Sequence, residues 1–396
     1  MTKAVTKVEE LRPLSQAMRA LRRDIHAHPE LAFEENRTAA IVAKELAGYG
    51  IDVHTGLAKT GVVGTLRAGK GMRSIGLRAD MDALPMQEHN HFEHRSRNDG
   101  KMHACGHDGH TAMLLGAAQH LAATKRFDGV VHFIFQPAEE GGGGGREMVE
   151  QGLFDRFPVE AVYGMHNWPG MAVGEFAMRP GPMMASSDTV EIIVRGRGAH
   201  GALPHHSADP ITAGAAIVQS LQTIVSRNLD PIDTAVISIT QFHGGDAWNV
   251  IPAEVVLRGT VRAFREQTQT MIEKRIREIA ENIAIAHGAR AEVHYKRQYP
   301  ALENSAAETR FCADVARELS GADRVNANFP PIMASEDFAF MLLAKPGCYV
   351  FTGNGTADQH AGGCMLHNPG YDFNDEALPV GAAYWVSLVE KALPAA

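Results

Sequence analysis

The chain of 396 residues is longer than most single hydrophobic cores and predicts about two domains. Hydrophobic residues make up 45% and charged residues 21%, as in a globular protein, and a net charge of −8 without a basic stripe argues against a nucleic-acid binder. No run of 18 apolar residues occurs, and the N-terminal MTKAVTKVEELRPL lacks the apolar region of a secretory signal, so we expect neither a membrane span nor secretion. The four scattered cysteines predict a reducing, cytoplasmic location.

The first part of the chain alternates helix and strand patterns. Apolar residues at three- and four-residue spacing predict helices over residues 8–28 and 36–48. Short apolar runs then predict the strands VVGTL, SIGLRADM, VVHFIFQP and AVYGMHNW, with the buried helix HTAMLLGAAQHLAA between the second and the third. This alternation predicts an α/β fold with a mostly parallel, mixed sheet flanked by helices.

A different order of elements begins near residue 184. Strand, helix, strand, strand, helix and strand are predicted in turn for DTVEIIVRG, DPITAGAAIVQSLQTIVS, TAVISITQFHGG, AEVVLRGTVRAF, residues 266–287 and RAEVHYKR. This β-α-β-β-α-β order is that of a ferredoxin-like α+β domain. The earlier pattern resumes at residue 298. We therefore predict a larger domain in two parts, 1–183 and 298–396, with a smaller domain, 184–297, inserted into it.

The stretch MHACGHDGH, residues 102–110, concentrates side chains that bind metals. Cys105 and His107 are two positions apart, so in a loop or extended chain both can reach one centre, while His103 and Asp108 point elsewhere. The alternative is a helix-capping turn in which Asp108 caps the helix that follows.

Three further segments supply candidate ligands. Glu139 and Glu140 in QPAEEG and His166 in GMHNWP end predicted strands, at the sheet edge where ligands bind in open α/β folds, and His367 lies far away in LHNPGYDFN. Neighbouring strand residues face opposite ways, so one carboxylate of the pair can bind metal while the other addresses a water. The alternatives are an exposed acidic turn and ordinary core or surface histidines.

Together these segments offer five protein ligands: Cys105, His107, Glu140, His166 and His367. A four-coordinate catalytic ion normally takes three protein ligands and keeps one position open. Five ligands, one of them a thiolate that can bridge, therefore predict two divalent ions roughly 3.5–4 Å apart. Thiolate and imidazole favour Zn, Co or Ni, and the carboxylate leaves Mn open.

Seven motifs carry a resemblance that runs in matching order over essentially the whole chain: MHACGHDGHTAMLLGAA, FQPAEEGGGG, GMHNWPG, GRGAHGALPHHSADPI, NVIPAE, ASEDFAF and LHNPGYDFND. In these motifs the chain resembles the dinuclear-metal amidohydrolases of the hippurate hydrolase and auxin-conjugate (IAA-amino acid) hydrolase type. Those enzymes are relatives of the aminoacylases and of the glutamate-releasing carboxypeptidases. The resemblance implies a zinc-exopeptidase-like catalytic domain, an inserted lid-like dimerisation domain, and cleavage of the amide between an acyl group and an amino acid.

The resemblance also implies roles for single residues of the larger domain. Cys105 would be the bridging ligand, and Glu139 would be the general base. RADMDALP stands where more distant relatives carry a His-x-Asp metal motif, with Asp80 at the His position and Asp82 at the Asp position. Asp80 is therefore not counted as a ligand, and His107 takes over that duty. Asp80 and Asp82 are candidates for supporting the ligands from behind, the alternative being buried carboxylates that cap a loop.

Three residues of the inserted domain are implied in substrate binding. His200 in GRGAHGALP would donate a hydrogen bond to the oxyanion, from the same subunit or from its partner. Asn249 in WNVIP and Arg262 in GTVRAF would bind the substrate carboxylate, for which the planar guanidinium is suited. The alternatives are a turn residue for His200 and a strand-edge salt bridge for Arg262.

These inferences predict a metal-dependent hydrolase that cleaves N-acyl amino acids to a carboxylic acid and a free amino acid. A metal-activated water, deprotonated by Glu139, would attack the amide. The alternatives are a metallo-dipeptidase or carboxypeptidase, and a catalytically silent metal-binding or scaffold protein. The expected partners are a small-molecule substrate and a second copy in a homodimer or dimer-based homo-oligomer, without nucleic acid or membrane. The acyl group and the amino acid stay open.

Overall fold

The computed structural model describes residues 6–356, 361 and 363–395. The helices are α1 Val8–Leu11, α2 Ser15–Ala27, α3 Asn36–Gly48, α4 His107–Thr124, α5 Gly144–Glu150, α6 Leu153–Arg156, α7 Pro210–Thr223, α8 Glu266–Ala286, α9 Ala306–Ser320, α10 Ala339–Ala344 and α11 Leu378–Ala392. The strands are β1 Asp52–Leu57, β2 Gly61–Ala68, β3 Ser74–Asp80, β4 Gly129–Gln136, β5 Ala161–Pro169, β6 Phe176–Ala177, β7 Gly181–Met184, β8 Ser187–Arg195, β9 Ala199–His200, β10 Ala235–His243, β11 Val250–Ile251, β12 Glu254–Ala263, β13 Arg290–Tyr299, β14 Leu302–Asn304, β15 Val325–Asn326 and β16 Gly347–Gly355.

The chain divides into two compact units. The first comprises Met1–Gly181, Glu303–Pro330 and Asp337–Ala396, and the second comprises Pro182–Leu302 and Pro331–Glu336. Among the described residues, no helix has both the length and the apolar character needed to cross a membrane.

An eight-stranded sheet organises the first unit, in the order β1-β2-β4-β3-β5-β16-β6-β15. Strands β4, β3, β5 and β16 are parallel neighbours, whereas β1 and β2 run antiparallel at one edge. Every residue of β4 and β16 is buried, as expected for strands covered on both faces. Helices α4, α9 and α11 contribute to the same core. The predicted mostly parallel, mixed sheet flanked by helices is confirmed.

Two of the differences between the first unit and the predicted elements have a clear physical reason. The helix expected over residues 8–28 is interrupted by a 3₁₀ turn at Arg12–Leu14, because Pro13 has no N–H and its ring crowds the carbonyl four residues back. Strand β1 was not predicted, since its sequence DVHTGL is largely exposed or half-buried and contains no apolar run.

A four-stranded antiparallel sheet, β10-β12-β8-β13, forms the second unit, and α7 and α8 share its core. The chain order β8, α7, β10, β12, α8, β13 is the predicted β-α-β-β-α-β order, so the ferredoxin-like fold of this unit is confirmed. A separate two-stranded ladder pairs β9 with β11.

Candidate metal centre

Polar side chains collect where the parallel strands β3, β4 and β5 end. Asp80 is the last residue of β3, His166 lies near the end of β5, and Glu139 and Glu140 follow β4. The prediction that Glu139 and Glu140 face opposite ways because they alternate along a strand is wrong. Strand β4 ends at Gln136, and both glutamates lie in the turn beyond it. The turn leaves Glu139 buried and Glu140 partly exposed, so the pair still occupies two different environments.

Gly106 shapes the loop that carries Cys105 and His107. Its φ of 91° lies in the left-handed region, and a Cβ there would stand 2.3 Å from Asn167 Oδ1. Glycine therefore permits both the conformation and the close approach. Helix α4 begins at His107, directly after this turn.

Asp108 does not cap α4, so that alternative interpretation is wrong. The capping position belongs to Gly106, and Asp108 lies one residue inside the first turn. Its carboxylate instead forms ion pairs with Arg22 and His26, each at 2.9 Å.

The five predicted ligands come together in two groups that share Cys105. Possible ligand atoms of Cys105, His107 and His166 lie within 4.8 Å of one another, and so do those of Cys105, Glu140 and His367. Cys105 Sγ is 3.4 Å from His166 Nε2, and His367 Nε2 is 3.2 Å from Glu140 Oε1. Two overlapping triplets with a common thiol suit a pair of cations bridged by sulfur.

Glu139 belongs to a third group, with His107 and Glu140, whose possible ligand atoms also lie within 4.8 Å of one another. One carboxylate oxygen of Glu139 accepts the backbone N–H of Asp337 at 3.4 Å. The Asp337 carboxylate is in turn held by Gln136 Nε2 at 2.6 Å and by the Gly145 N–H at 2.8 Å. Glu139, which is not one of the five predicted ligands, is thus buried and hydrogen-bonded beside them.

Two of the candidate ligands, His107 and His166, are buried histidines that present their Nε2 atoms to the site. His107 Nδ1 lies 3.2 Å from Asp82 Oδ1, and His166 Nδ1 donates to its neighbour's backbone carbonyl, Asn167 O, at 2.7 Å. With the proton on Nδ1, each Nε2 carries a lone pair. Within the described parts of the chain, His107 Nε2 is buried and makes no hydrogen bond. A buried nitrogen prepared in this way fits a metal ligand.

The charges of the cluster favour cations. Burial raises the pKa of the Cys105 thiol well above its usual range, and Glu140 and Glu139 add to the effect. Burial opposes a charge on His107, but Asp80 and Asp82 outweigh it and raise the pKa of that imidazole to about 10. A divalent ion placed here would displace these protons and offset the surplus of carboxylates.

Asp80 and Asp82 make different contacts beside the candidate ligands. Asp82 receives His107 Nδ1 on one oxygen and the backbone N–H of Glu140 on the other, at 2.9 Å, so one carboxylate orients two candidate ligands. Asp80 has both oxygens engaged, by His110 Nδ1 at 2.6 Å and by Arg78 Nη1 at 2.7 Å.

His110 is a residue that the sequence reasoning missed. It receives the backbone N–H of Asn167 on Nε2 at 3.0 Å, and its ring centroid lies 4.4 Å from that of His166. Its position three residues after His107 places both on one face of α4, and this spacing was the signal that could have identified it.

In the second unit, the β9–β11 ladder brings His200 and Asn249 together. His200 pairs with Val250, and the Gly201 N–H donates to Asn249 O at 2.7 Å. His200 is therefore the last residue of a ladder strand and also begins a turn, in which the Leu203 N–H donates to His200 O at 2.8 Å. The Ala202 N–H donates to His200 Nδ1 at 3.1 Å, so the neutral ring carries its proton on Nε2 and can donate from there.

Arg262 lies near the end of β12, between β10 and β8, so the strand-edge interpretation is wrong. Its Nη1 donates to Val261 O at 2.9 Å and to Thr260 Oγ1. Burial lowers its pKa, although Asp188 acts in the opposite direction. Among the described residues this guanidinium forms no ion pair, and Asp188 is an acid whose charge acts on it without one.

Known proteins resemble this chain over nearly its full length. A hippurate hydrolase from Campylobacter jejuni is 42% identical over 386 residues, covering 98% of this chain and 99% of the relative. An IAA-amino acid hydrolase from Arabidopsis thaliana is 40% identical, covering 95% and 86%. A dinuclear metal-binding peptidase from Bacillus subtilis superposes with a TM-score of 0.83 at 33% identity, covering 96% of this chain and 99% of that one. The model of peptidase family M20/M25/M40 matches residues 76–391, and the chain belongs to that family.

Proposed function

We propose that this protein is a metal-dependent hydrolase that cleaves the amide bond of N-acyl amino acids, releasing a carboxylic acid and a free amino acid. The convergence of two ligand triplets on Cys105, beside the buried carboxylate of Glu139, carries the proposal. The names of two relatives, a hippurate hydrolase and an IAA-amino acid hydrolase, point to the same class of substrate.

Two divalent ions would be held by the two triplets. Cys105, His107 and His166 bind one ion in this proposal, and Glu140 and His367 complete the second site with the shared thiolate. The mixture of sulfur, imidazole and carboxylate suits Zn, Co, Ni or Mn. Such ions, when bound, lower the pKa of a water and polarise a carbonyl oxygen.

Glu139 supplies the proton transfers. Its carboxylate accepts a proton from the attacking water and passes it to the amine nitrogen as the amide bond breaks. The hydrogen bond from the Asp337 N–H supports this role because it fixes the direction of the carboxylate.

Residues of the second unit bind the substrate. His200 donates its Nε2–H to the carbonyl oxygen on which negative charge develops. Arg262, which forms no ion pair with the described residues, pairs with the substrate carboxylate, and Asn249 contributes a further hydrogen bond. We propose a homodimer in the cytoplasm, and the four cysteines, all free, agree with a reducing compartment.

A panel of substrates tests this function. Protein stripped by a chelator and reconstituted with Zn or Mn is assayed on hippurate, N-acetyl and indole-acetyl amino acids, and dipeptides. We expect hydrolysis of N-acyl amino acids only with metal, and a loss of at least about a hundredfold in kcat for Glu139→Gln at unchanged metal content. A Glu139→Gln variant with normal metals and normal turnover rejects the base. A protein that binds its ions and hydrolyses nothing is the silent scaffold.

A peptidase is the second candidate function, because the Bacillus subtilis neighbour is described as a peptidase. Metal ligands and base would be the same in that case. Faster cleavage of dipeptides than of every N-acyl amino acid in the panel would favour it.

A further inference from the structure

Arg22 is a fully buried cation on α2, and its guanidinium joins carboxylates from two distant segments. Its Nε lies 2.9 Å from Asp108, its Nη2 lies 2.5 Å from Asp372, and its Nη1 lies 3.5 Å from Asp375. Burial opposes the charge, but the three carboxylates outweigh it and raise the pKa of Arg22 above its usual range. The residue is therefore a permanent cation in the interior.

The two segments that Arg22 joins are those that carry candidate metal ligands. Asp108 directly follows His107, and Asp372 lies five residues after His367. The charge of one guanidinium thus links the start of α4, through an ion pair without a hydrogen bond, to the segment that supplies the ligand furthest away in sequence.

The segment that carries His367 is anchored by the buried rings of Tyr371 and Phe373 and by polar contacts on either side of them. Residues 366–374 contain neither helix nor strand, and His367 has a positive φ of 63°. Its side chain is 53% exposed, so packing alone does not fix it. The His367 N–H donates to Ala104 O at 2.9 Å, and the end of the segment is held by the ion pair of Asp372 with Arg22.

A second buried residue of α2 reinforces the first of these anchors. His26 Nδ1 lies 2.9 Å from Asp108 Oδ2, and its Nε2 lies 3.2 Å from Glu88 Oε1. Arg22 and His26 therefore both contact the same oxygen of Asp108, Oδ2. The Arg22 guanidinium is the link that continues from it to Asp372 and Asp375.

We propose that Arg22 is a positioning residue, which holds the His367 segment against the Cys105–His107 loop and thereby sets the affinity of the ion bound by His367. This inference rests on the proposed function for the identity of the ligands. Removing the guanidinium leaves Asp108, Asp372 and Asp375 close together with less compensation, so the His367 segment moves away from Cys105.

A double-mutant cycle separates this role from a general contribution to stability. Arg22→Met, His367→Ala and the double variant are titrated with Co²⁺ or Zn²⁺ against a chelator, which gives the affinity of each of the two ions. We expect Arg22→Met to weaken one ion about tenfold or more and the other by less than about threefold. We further expect the double variant to bind both ions as His367→Ala alone does, because Arg22 acts through His367.

Arg37→Met is the matched control. Arg37 lies on α3 and forms an ion pair of 2.9 Å with Asp24, which is on α2 like Arg22. This ion pair does not join the two ligand-bearing segments. Arg37→Met should leave both affinities unchanged. Circular dichroism and the midpoint of thermal unfolding report whether each variant is folded.

Two results would overturn the proposal: a folded Arg22→Met protein with both ions at wild-type affinity, or losses from Arg22→Met and His367→Ala that simply add. If Arg22→Met does not fold, Asp372→Asn removes one of the linked charges at constant shape and is judged by the same cycle. A His367→Ala protein that keeps both ions refutes the ligand assignment itself, which is distinguishable from a failure of Arg22 alone.

Discussion

The most informative single substitution is Asp82→Asn, because Asp82 orients two candidate ligands at once. One oxygen faces His107 Nδ1 at 3.2 Å, and the other accepts the Glu140 N–H at 2.9 Å. An asparagine keeps the shape but replaces one acceptor by an NH₂ group. If that group faces His107, it favours the tautomer with the proton on Nε2, which cannot bind metal. If it faces Glu140, two donors oppose each other and the turn is displaced.

Either orientation leaves one buried donor without its acceptor, and that costs about 1–3 kcal/mol. Since 1.4 kcal/mol corresponds to a factor of ten, metal binding should weaken roughly 5- to 150-fold. The assay is titration of apo protein with Zn²⁺ in competition with a chelator. Asp52→Asn, the same change at an exposed position of β1, should bind as wild type does. The reasoning is refuted by an Asp82→Asn protein with wild-type affinity in a background where His107→Ala loses an ion.

Three further substitutions test other parts of the account. Burial raises the pKa of Glu35 from 4.5 to about 7, so its ionisation should lower the free energy of unfolding by roughly 3 kcal/mol as the pH rises through that interval. Between pH 5 and pH 8, the free energy of unfolding of Glu35→Gln, measured with denaturant, should fall less than that of the wild type. An equal fall in both proteins contradicts the raised pKa of Glu35. Arg262→Ala should raise KM for N-acyl amino acids about tenfold or more and leave KM for neutral acyl amides unchanged. Arg258→Ala, at an arginine paired with Glu191, should change neither KM. Equal effects of Arg262→Ala on both substrates would show that Arg262 does not bind the substrate carboxylate. Gly106→Ala should lower the free energy of unfolding by about 1 kcal/mol or more because of its φ of 91° and the contact with Asn167, and a thermal midpoint equal to that of the wild type argues against this geometry.

The sequence predicted those helices and strands whose own residues show a clear apolar pattern. The apolar, β-branched run of β4 and the apolar central part of α4 are buried, and such burial is visible in the sequence as composition. The edge strand β1 was not predicted, because its exposed positions need not be apolar. Pro13 could have been recognised as the break between α1 and α2, since its chemistry acts on the residues directly before it.

The supporting residues around the candidate ligands were harder to predict because their partners are distant in sequence. Arg22 lies among other charged residues on α2 and has the sequence pattern of a solvated arginine, yet its side chain is completely buried. Only the folded chain brings Asp108 and Asp372 to it. The same holds for Asp337, whose contacts with Gln136 and Gly145 join residues that are 201 and 192 positions apart.

The central claim is that Cys105, His107, Glu140, His166 and His367 surround two cations. The most direct measurement is a crystal structure of zinc-reconstituted protein with anomalous data at the zinc edge. We predict two anomalous peaks per chain, both bonded to Cys105 Sγ at about 2.3 Å and to the imidazole nitrogens at about 2.0–2.1 Å. A single peak, or peaks away from these five side chains, would contradict the account.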